Sequence, residues 1–221
     1  MGIAIVTGAS RGIGLELVRQ LRARGQEVLA VCRHGSAELD ALGARVETGC
    51  DVTEPAAWAR IRAAVGDDED VDLLVQNAGV LVGDSLDDVG LDGVRRQMEL
   101  NAYAPLFLSR ALLPRMRAGA KVALITSRMG SMGDNGSGGY YGYRMSKAAL
   151  NAAGVSLAID LKPRGIAVAI LHPGAVRTDM TGGHGQIEAP ESVRGLLERI
   201  DELALENSGR FLHQNGTELP W

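Results

Sequence analysis

The sequence predicts an α/β fold built on a doubly wound sheet of about seven parallel strands, with helices on both faces. Two observations lead to this prediction. Short, continuously apolar segments alternate with amphipathic stretches along almost the whole chain, and strands that are buried on both faces of a parallel sheet have this composition. A glycine-rich turn also follows the first apolar segment directly, at a position where such sheets bind ligands.

Seven segments rich in β-branched and aliphatic residues are predicted as strands, and five amphipathic segments between them as helices. Right-handed crossovers between successive parallel strands then give a doubly wound sheet. The chain has no internal repeat or interdomain linker, so residues 1–221 are expected to form one domain. The predicted strands are IAIV (3–6), EVLAV (27–31), RVET (45–48), VDLLVQ (71–76), KVALIT (121–126), IAVAIL (166–171) and RFL (210–212), and the predicted helices are 12–24, 54–64, 92–117, 140–162 and 189–205.

Composition and charge argue against several classes of function. The net charge of −4 and the lack of a long Lys/Arg block give no reason to expect a nucleic-acid partner. No run approaches the roughly 20 apolar residues of a spanning helix, so no membrane partner is expected. The chain passes from Met1 into GIAIVTG without the features of a targeting segment, which favours a cytoplasmic location. Cys32 and Cys50 have no metal-ligand spacing, so neither a metal site nor a disulfide is predicted.

The turn TGASRGIG, residues 7–14, favours the binding of a nucleotide. Its three glycines permit a tight turn, close approach of the backbone to a phosphate, and close packing of the next helix on the strand. Unpaired N–H groups at the start of that helix, with the helix dipole, favour an anion. The alternative is a tight turn without a ligand. The residues expected to contact the cofactor here are Gly8, Ser10, Arg11, Gly12, Ile13 and Gly14.

The spacing Gly-x3-Gly-x-Gly resembles the TGxxxGxG motif of the short-chain dehydrogenase/reductase family, and the resemblance extends over nearly the whole chain. It implies a Rossmann-type fold. The loop RMGSMGDNGSGGYYG, the segment YRMSKAALN and the terminal GTELPW are similar to the C-factor and sniffer carbonyl-reductase branch of that family. The other matching residues lie at predicted strand ends or in the helices that follow: Asp51-Val52, Asn77-Ala78-Gly79, Asn101, Ser127, Tyr143 with Lys147, and Pro173-Gly174 with Thr178.

The resemblance implies positions for many of these residues around a dinucleotide. Two alternatives stay open. Asp51-Val52 could form a turn before a helix capped at Thr53, and Asn-Ala-Gly is also a common turn sequence. The implied contacts are Asp51 and Val52 at the adenine, Asn77, Ala78 and Gly79 beside the adenosine ribose and the central sheet, and Pro173, Gly174, Val176 and Thr178 at the nicotinamide.

Charge at the end of the second strand favours NADP(H) over NAD(H). An NAD site would place a carboxylate there to accept from the ribose 2′-hydroxyl, but this sequence has Cys32 followed by Arg33. Arg11 lies inside the glycine turn. Two guanidinium groups suit a 2′-phosphate, because arginine can pair with phosphate through two parallel hydrogen bonds. The alternative is two solvated surface arginines.

Tyr143 and Lys147 are four residues apart in a predicted helix and therefore share one face of it. A free phenol has a pKa near about 10, and a neighbouring ammonium group is expected to lower it. Tyr143 could then act as a general acid or base, and Ser127 could donate to the substrate oxygen. The resemblance implies that Lys147 holds the nicotinamide ribose and that Asn101 holds a water linked to it. The alternative is a packed tyrosine beside a lysine that reaches solvent.

These motifs together predict an NADP(H)-dependent reductase that acts on a small-molecule carbonyl substrate. The short segment DMTGGHGQIEA after the sixth strand predicts an open substrate pocket. The resemblance further implies a homodimer or homotetramer that pairs through helices 92–117 and 140–162. Two alternatives stay open: oxidation of a secondary alcohol, and a cofactor-binding signalling protein similar to C-factor.

Overall fold

The computed structural model describes residues 2–221, and these residues form the predicted doubly wound sheet of seven parallel strands. The strands are β1 (Ile3–Thr7), β2 (Val28–Val31), β3 (Arg45–Glu47), β4 (Val71–Gln76), β5 (Lys121–Ile125), β6 (Ala167–His172) and β7 (Phe211–His213). Their order across the sheet is β3-β2-β1-β4-β5-β6-β7. The fold class predicted from the sequence is therefore confirmed.

The strand order reverses at β1, which lies between β2 and β4. Val6 pairs in parallel with Ala30 of β2 on one side and with Val75 of β4 on the other. The chain first builds outward to β3 and then returns to build the other half from β4. The carboxyl ends of β1 and β4 consequently lie side by side at a topological switch point, where sheets of this kind bind their ligands.

Helices cover both faces of this sheet: α1 (Gly12–Ala23), α2 (Ala37–Asp40), α3 (Pro55–Ala64), α4 (Leu91–Met98), α5 (Ala104–Leu112), α6 (Tyr141–Leu161) and α7 (Ala189–Asp201). Alternate residues of a strand point to opposite faces. In β1, Ile3 and Ile5 belong to the core under α3, α5 and α6, whereas Ala4 and Val6 belong to the core under α1 and α7. This double burial explains why the strands are apolar throughout.

The helix predicted over 92–117 is interrupted near its middle. It consists of α4, a π-helical turn at Glu99–Tyr103, α5 and a short 3-10 turn at Leu113–Arg115. Pro105 in the first turn of α5 has no N–H, so the regular hydrogen-bond ladder loses the bond to the carbonyl of Asn101. Asn101 therefore lies in an irregular turn, a setting that often accompanies functional sites.

Other elements differ from the sequence prediction at their ends. Helix α7 stops at residue 201 rather than 205, and β7 begins at Phe211 rather than at residue 210. The four-residue helix α2 was not predicted, because a single turn is too short to show a hydrophobic period. Its start is stabilised by Ser36, whose Oγ accepts from Leu39 N at 3.2 Å.

Helix α6 runs along the sheet beside β5 and β6 and carries both Tyr143 and Lys147. Gly154 allows this close approach. A Cβ atom at that position would lie only 2.7 Å from Cδ1 of Ile170 and 2.9 Å from Cδ1 of Leu124. The first turns of α6 are thereby held near the carboxyl ends of the strands. None of the helices in residues 2–221 combines the length and apolar character needed to cross a membrane.

Candidate active site

Six residues that the sequence analysis singles out line one pocket at the carboxyl ends of the strands. Four further lining residues, Val80, Ile125, Thr126 and Met180, were not predicted. The pocket lies beside the switch point between β1 and β4. In residues 2–221, no group of His, Cys, Asp or Glu side chains is arranged to hold a metal ion. The six predicted residues are Ile13, Asn77, Gly79, Tyr143, Lys147 and Pro173.

The three glycines of the turn after β1 are needed for different reasons. Gly8 and Gly12 have φ angles of 66° and 55°, in the left-handed region that disfavours other residues. Gly14 has an ordinary φ, but a side chain there would overlap the carbonyl oxygen of Gly8. Helix α1 starts at Gly12 without a side-chain cap. The N–H groups of its first turn are therefore available to an anion.

Thr7 joins the ends of β1 and β4 at the switch point. Its Oγ1 accepts hydrogen bonds from the backbone N–H groups of Asn77 and Ala78, both at 3.0 Å. In return, Asn77 Nδ2 donates to the carbonyl oxygens of Thr7 at 2.9 Å and of Gly8 at 3.3 Å. Asn77 thus braces the central strands and holds the glycine turn. Thr7 is not among the site residues predicted from the sequence, although it opens the TGASRGIG motif.

Replacement of Thr7 by Val is expected to lower the free energy of unfolding by about 2–4 kcal/mol, because two backbone N–H groups lose their acceptor while the side-chain volume is kept. Urea unfolding followed by circular dichroism measures this change. Ser156→Ala is the control, since the Ser156 hydroxyl is exposed and donates to the carbonyl of Ala152 within α6, and it should change stability by less than about 0.5 kcal/mol. Wild-type stability of Thr7→Val would contradict this role.

Asp51 lies beyond the end of β3 and takes part in a local turn. Its Oδ1 accepts from Thr53 N at 3.0 Å and from Thr53 Oγ1 at 2.7 Å. Burial acts to raise the pKa of Asp51, but these hydrogen bonds and the positive charges of Arg33 and Arg96 outweigh it, so the pKa is lowered. The N-cap of α3 is Glu54 rather than Thr53. The turn proposed as an alternative is therefore present, but the helix is not capped at Thr53.

The two arginines expected near the adenosine ribose have different surroundings. Arg33 is exposed, and its side chain forms no hydrogen bond or ion pair within residues 2–221. Arg11 Nη1 lies 3.4 Å from Asp179 Oδ2, and the two side chains are 75% and 77% exposed. Arg11 thus reaches the segment after β6 rather than the end of β2. Such an exposed pair contributes at most about 1 kcal/mol, so it does not fix Arg11 in place.

Ser127, Tyr143 and Lys147 come together where β5 ends against the start of α6. Only 8%, 7% and 5% of their respective surfaces are exposed. Lys147 Nζ lies 5.8 Å from the centre of the Tyr143 ring and donates to the carbonyl of Ile125 at 3.0 Å. The alternative of a lysine that reaches solvent is therefore wrong. Ser127 Oγ accepts from Met129 N at 3.1 Å, which fixes the serine at the end of the strand.

Burial raises the pKa of Tyr143, and a hydrogen bond with Ser127 opposes this effect without reversing it. The lowered pKa predicted from the sequence is thus not produced by the chain's own residues. The reason is that a buried phenolate loses its hydration, while the ammonium of Lys147 faces the ring and is bonded to a carbonyl. The phenol is therefore protonated at neutral pH, but it gives up its proton less readily than a general acid whose pKa lies near the working pH.

Asn101 connects the loop after β4 to helix α6. Its Oδ1 accepts from Val80 N and its Nδ2 donates to Val80 O, both at 2.8 Å. Nδ2 also donates to Ser146 Oγ at 2.9 Å, and that hydroxyl donates to Tyr143 O at 2.8 Å. The amide oxygen of Asn101 and the ammonium of Lys147 both lie near Gly79, 3.1 Å and 3.7 Å from where a Cβ would stand. Asn101 is therefore linked to Tyr143 by the hydrogen bonds through Ser146, and it lies close to Lys147 in the space that the absent side chain of Gly79 leaves open.

Two buried polar residues that were not predicted from the sequence fix α6 beside the end of β5. Thr126 Oγ1 donates to Asn151 Oδ1 at 2.7 Å, and the two residues are 2% and 3% exposed. A signal was present in the sequence, because Asn151 follows Tyr143 and Lys147 at the same four-residue interval on one helix face. A polar stripe in an otherwise apolar buried face predicts such hydrogen bonds.

The segment after β6 faces the glycine turn. Gly174 has a φ of 87°, and a side chain there would crowd Ile187. Val176 forms a parallel bridge with Ile187, which shapes the loop. The Cγ2 atom of Thr178 lies 3.5 Å from where a Cβ of Gly12 would stand. Thr178 therefore lies opposite the start of α1, and Pro173 lines the same pocket as Ile13.

Comparison with known proteins identifies relatives that match most or all of the chain. The family model described as short chain dehydrogenase matches residues 2–188. The 1-hydroxy-2-glutathionyl-2-methyl-3-butene dehydrogenase of Rhodococcus sp. (strain AD45) is 42% identical over 226 residues, which cover 100% of both chains. The C-signal protein of Myxococcus xanthus is 50% identical over 154 residues, covering 68% of this chain and 93% of that protein.

Solved structures with the same fold include carbonyl reductases. The NADPH-bound carbonyl reductase from chicken fatty liver superposes with a TM-score of 0.92 at 31% identity, covering 100% of this chain and 99% of that chain. The carbonyl reductase Sniffer of D. melanogaster also gives a TM-score of 0.92, at 30% identity and with 100% of both chains covered. These matches extend over the pocket and both halves of the sheet.

Proposed function

Because the chain belongs to the short-chain dehydrogenase family, we propose that it is an oxidoreductase that uses NADPH to reduce aldehyde and ketone carbonyls to alcohols. The family and the C-factor and sniffer branch predicted from the sequence are confirmed by these relatives. The chicken protein is an NADPH-bound carbonyl reductase and the Drosophila protein is a carbonyl reductase, which supports both the cofactor and the substrate class.

The observation that carries this proposal is the buried group of Ser127, Tyr143 and Lys147 beside the pocket. A protonated phenol, a hydroxyl and an ammonium are held at the end of β5, and the pocket next to them reaches the glycine turn. A protein that only binds a nucleotide has no need for a buried phenol and ammonium together. Buried ionisable groups of this kind are costly and are typical of catalytic sites.

The residues at the strand ends fit a dinucleotide cofactor. Gly8 and Gly12 leave the start of α1 open to a phosphate, and Lys147 lines the pocket from the opposite side. Arg33 would bind the 2′-phosphate of the adenosine ribose, since Cys32 supplies no carboxylate that would repel it. This charge pattern supports NADP(H) rather than NAD(H).

The proposed reaction adds a hydride to the carbonyl carbon and a proton to the carbonyl oxygen. NADPH, when bound, supplies the hydride. The Ser127 hydroxyl donates a hydrogen bond to the oxygen as negative charge develops there, and Tyr143 transfers its phenolic proton to that oxygen. Lys147 holds the nicotinamide ribose, and its positive charge stabilises the phenolate left on Tyr143. We propose that a water near Asn101 returns the proton through Lys147.

The affinity for NADPH is expected to fall as the pH rises through about 8, the value to which burial lowers the pKa of Lys147. The free protein loses the lysine proton there, whereas the ribose hydroxyls favour the protonated form, so binding takes up a proton. The Kd should rise by up to about fivefold between pH 8 and pH 9. Fluorescence titration with NADPH measures this, and Lys147→Met should bind more weakly with no such dependence. A wild-type Kd that stays constant with pH would refute the assignment.

The relative named C-signal favours a second candidate, a signalling protein that binds a cofactor without turning over a substrate. This candidate leaves the buried phenol and ammonium unexplained.

A third candidate, oxidation of a secondary alcohol, uses the same residues in reverse and is favoured by the Rhodococcus dehydrogenase. Reduction needs the protonated phenol and oxidation needs the phenolate, so rates measured in the two directions separate these candidates.

A panel of carbonyl compounds tests the proposed function directly. Aliphatic aldehydes, aromatic aldehydes, ketones and diketones are each mixed with the protein and NADPH, and cofactor consumption is followed. We expect turnover of at least one class and a higher kcat/KM for NADPH than for NADH. Tight NADPH binding without turnover of any compound would favour the signalling candidate, and faster oxidation of secondary alcohols with NADP⁺ would favour the dehydrogenase.

Self-association through α5 and α6 stays a prediction. Exposed apolar side chains on these helices, Phe107 at 38% and Ile159 at 66%, support it. Sedimentation velocity of the wild-type protein and of Ile159→Glu tests this proposal. A wild-type monomer at micromolar concentration would refute it.

A further inference from the structure

The start of α6 lacks a cap of its own, although the candidate proton donor lies in its first turn. Tyr140 precedes the helix with a φ of 52°, and its side chain forms no capping hydrogen bond. The first N–H groups of any helix have no partner within it. Tyr143 is the third residue of α6, so fraying of this turn would displace its phenol relative to Ser127.

Asp84, in the loop after β4, supplies the missing hydrogen-bond acceptors. Its backbone carbonyl accepts from Tyr140 N at 2.8 Å. One carboxylate oxygen accepts from Tyr141 N, and the other accepts from Gly142 N at 3.3 Å. One residue thus satisfies three consecutive N–H groups immediately before Tyr143. A carboxylate at this end of a helix is also favoured by the helix dipole.

The loop that carries Asp84 is itself fixed to the helix after it. Val82 N donates at 2.9 Å to Oε1 of Gln97, a side chain that is fully buried. Earlier in the loop, Val80 is held on both its N–H and its carbonyl by Asn101. Gly142 packs directly on Gln97, where any side chain would overlap the amide nitrogen. Asp84 therefore approaches α6 from a rigid support.

We propose that Asp84 is a positioning residue for Tyr143, which holds the first turn of α6 so that the phenol stays aligned with Ser127 and the pocket. This inference rests on the proposed function, because it assigns Asp84 an effect on proton donation by Tyr143. Displacement of a reacting group by about 1 Å can lower a rate about 100-fold, even when the altered residue does not touch the substrate. The hydrogen bonds that Asp84 forms within residues 2–221 go to the start of α6 and not to the glycine turn or Arg33, which would bind the cofactor.

Asp84→Ala is expected to lower kcat for carbonyl reduction by about tenfold or more while the Kd for NADPH is unchanged. Asp84→Asn keeps one carbonyl oxygen that can accept from the helix, and its kcat should lie between that of Asp84→Ala and that of the wild type. A role in folding alone would lower the number of active molecules and not their individual rate. The concentration of sites is therefore counted by NADPH titration, and kcat is expressed per bound NADPH.

Asp88→Ala is the matched control. It removes the same charge from the same loop, but within residues 2–221 the Asp88 carboxylate accepts from the N–H and the hydroxyl of Ser85 and not from α6. Its kcat per site should equal that of the wild type. Wild-type kcat in Asp84→Ala, an equal loss in Asp88→Ala, or a loss of NADPH binding in step with kcat would each overturn the inference. A wild-type protein that reduces none of the carbonyl panel would instead overturn the proposed function, and the inference with it.

Discussion

Replacement of Tyr143 by Phe is expected to lower kcat for carbonyl reduction by about 10²- to 10⁴-fold, the range that a positioned general acid contributes. The substitution removes only the hydroxyl. The ring keeps its place in the pocket wall, and Lys147 keeps its hydrogen bond to Ile125. The Kd for NADPH should therefore be unchanged, and the loss should appear in kcat.

The experiment combines single-turnover rates with fluorescence titration of NADPH. Tyr141→Phe is the control, because Tyr141 lies in the same helical turn but its side chain is 37% exposed; it should retain the wild-type kcat. The result separates the candidate functions. If Tyr143→Phe loses carbonyl reduction but still supports the protein's role in the cell, nucleotide binding alone suffices for that role and the protein acts as a signal or sensor. If turnover persists at the wild-type rate, another group donates the proton and the proposed role of Tyr143 is wrong.

The position of the site follows from the sequence because its residues occupy strand ends. A parallel sheet brings the carboxyl ends of its strands to one edge. The sequence therefore predicts one crevice that contains the glycine turn, Asn77, Ser127 and Pro173. The four-residue interval between Tyr143 and Lys147 likewise fixes their shared face on a helix. The structure brings both patterns to the same pocket.

The sequence could not supply contacts that depend on tertiary packing. Asp84 caps a helix that begins 57 residues later, and no local pattern connects the two. Thr7 accepts a hydrogen bond from Asn77, which follows a different strand. Ser146 accepts from Asn101 on another helical segment and donates to the backbone of its own helix. The π-helical turn at Asn101 lies just before Pro105, which cannot donate to the Asn101 carbonyl, and a periodic pattern of apolar residues does not predict this irregularity.

The pKa of Tyr143 is the clearest case in which proximity in the sequence misleads. Spacing places Lys147 beside the tyrosine, and a cation nearby lowers the pKa of a phenol. Burial of both groups was not visible in the sequence, and it raises the pKa of Tyr143 and lowers that of Lys147. The chain alone therefore holds a neutral phenol, and further positive charge must come from outside the chain if the phenolate is to form easily.

Replacement of Arg33 by Ala is expected to weaken NADPH binding by roughly 10- to 100-fold, because a guanidinium–phosphate pair includes hydrogen bonds to charged groups worth about 1.5–3 kcal/mol. NADH lacks the 2′-phosphate, so its Kd should not change. The variant would then lose the preference for NADPH because it binds NADPH more weakly, while its affinity for NADH stays the same. Titration of both cofactors against the wild type and the variant gives the four constants needed.

Two further variants test whether the effect belongs to this guanidinium. Arg24→Ala removes an exposed arginine whose partner is Asp201, and it should leave both constants unchanged, which excludes a general effect of net charge. Arg11→Ala should weaken NADPH binding less than Arg33→Ala, because Arg11 must first leave Asp179. Higher salt should reduce the NADPH preference of the wild type but not of Arg33→Ala, since it screens the phosphate contact. Equal loss of NADH and NADPH affinity in Arg33→Ala would show that Arg33 supports the adenosine pocket and does not select the phosphate.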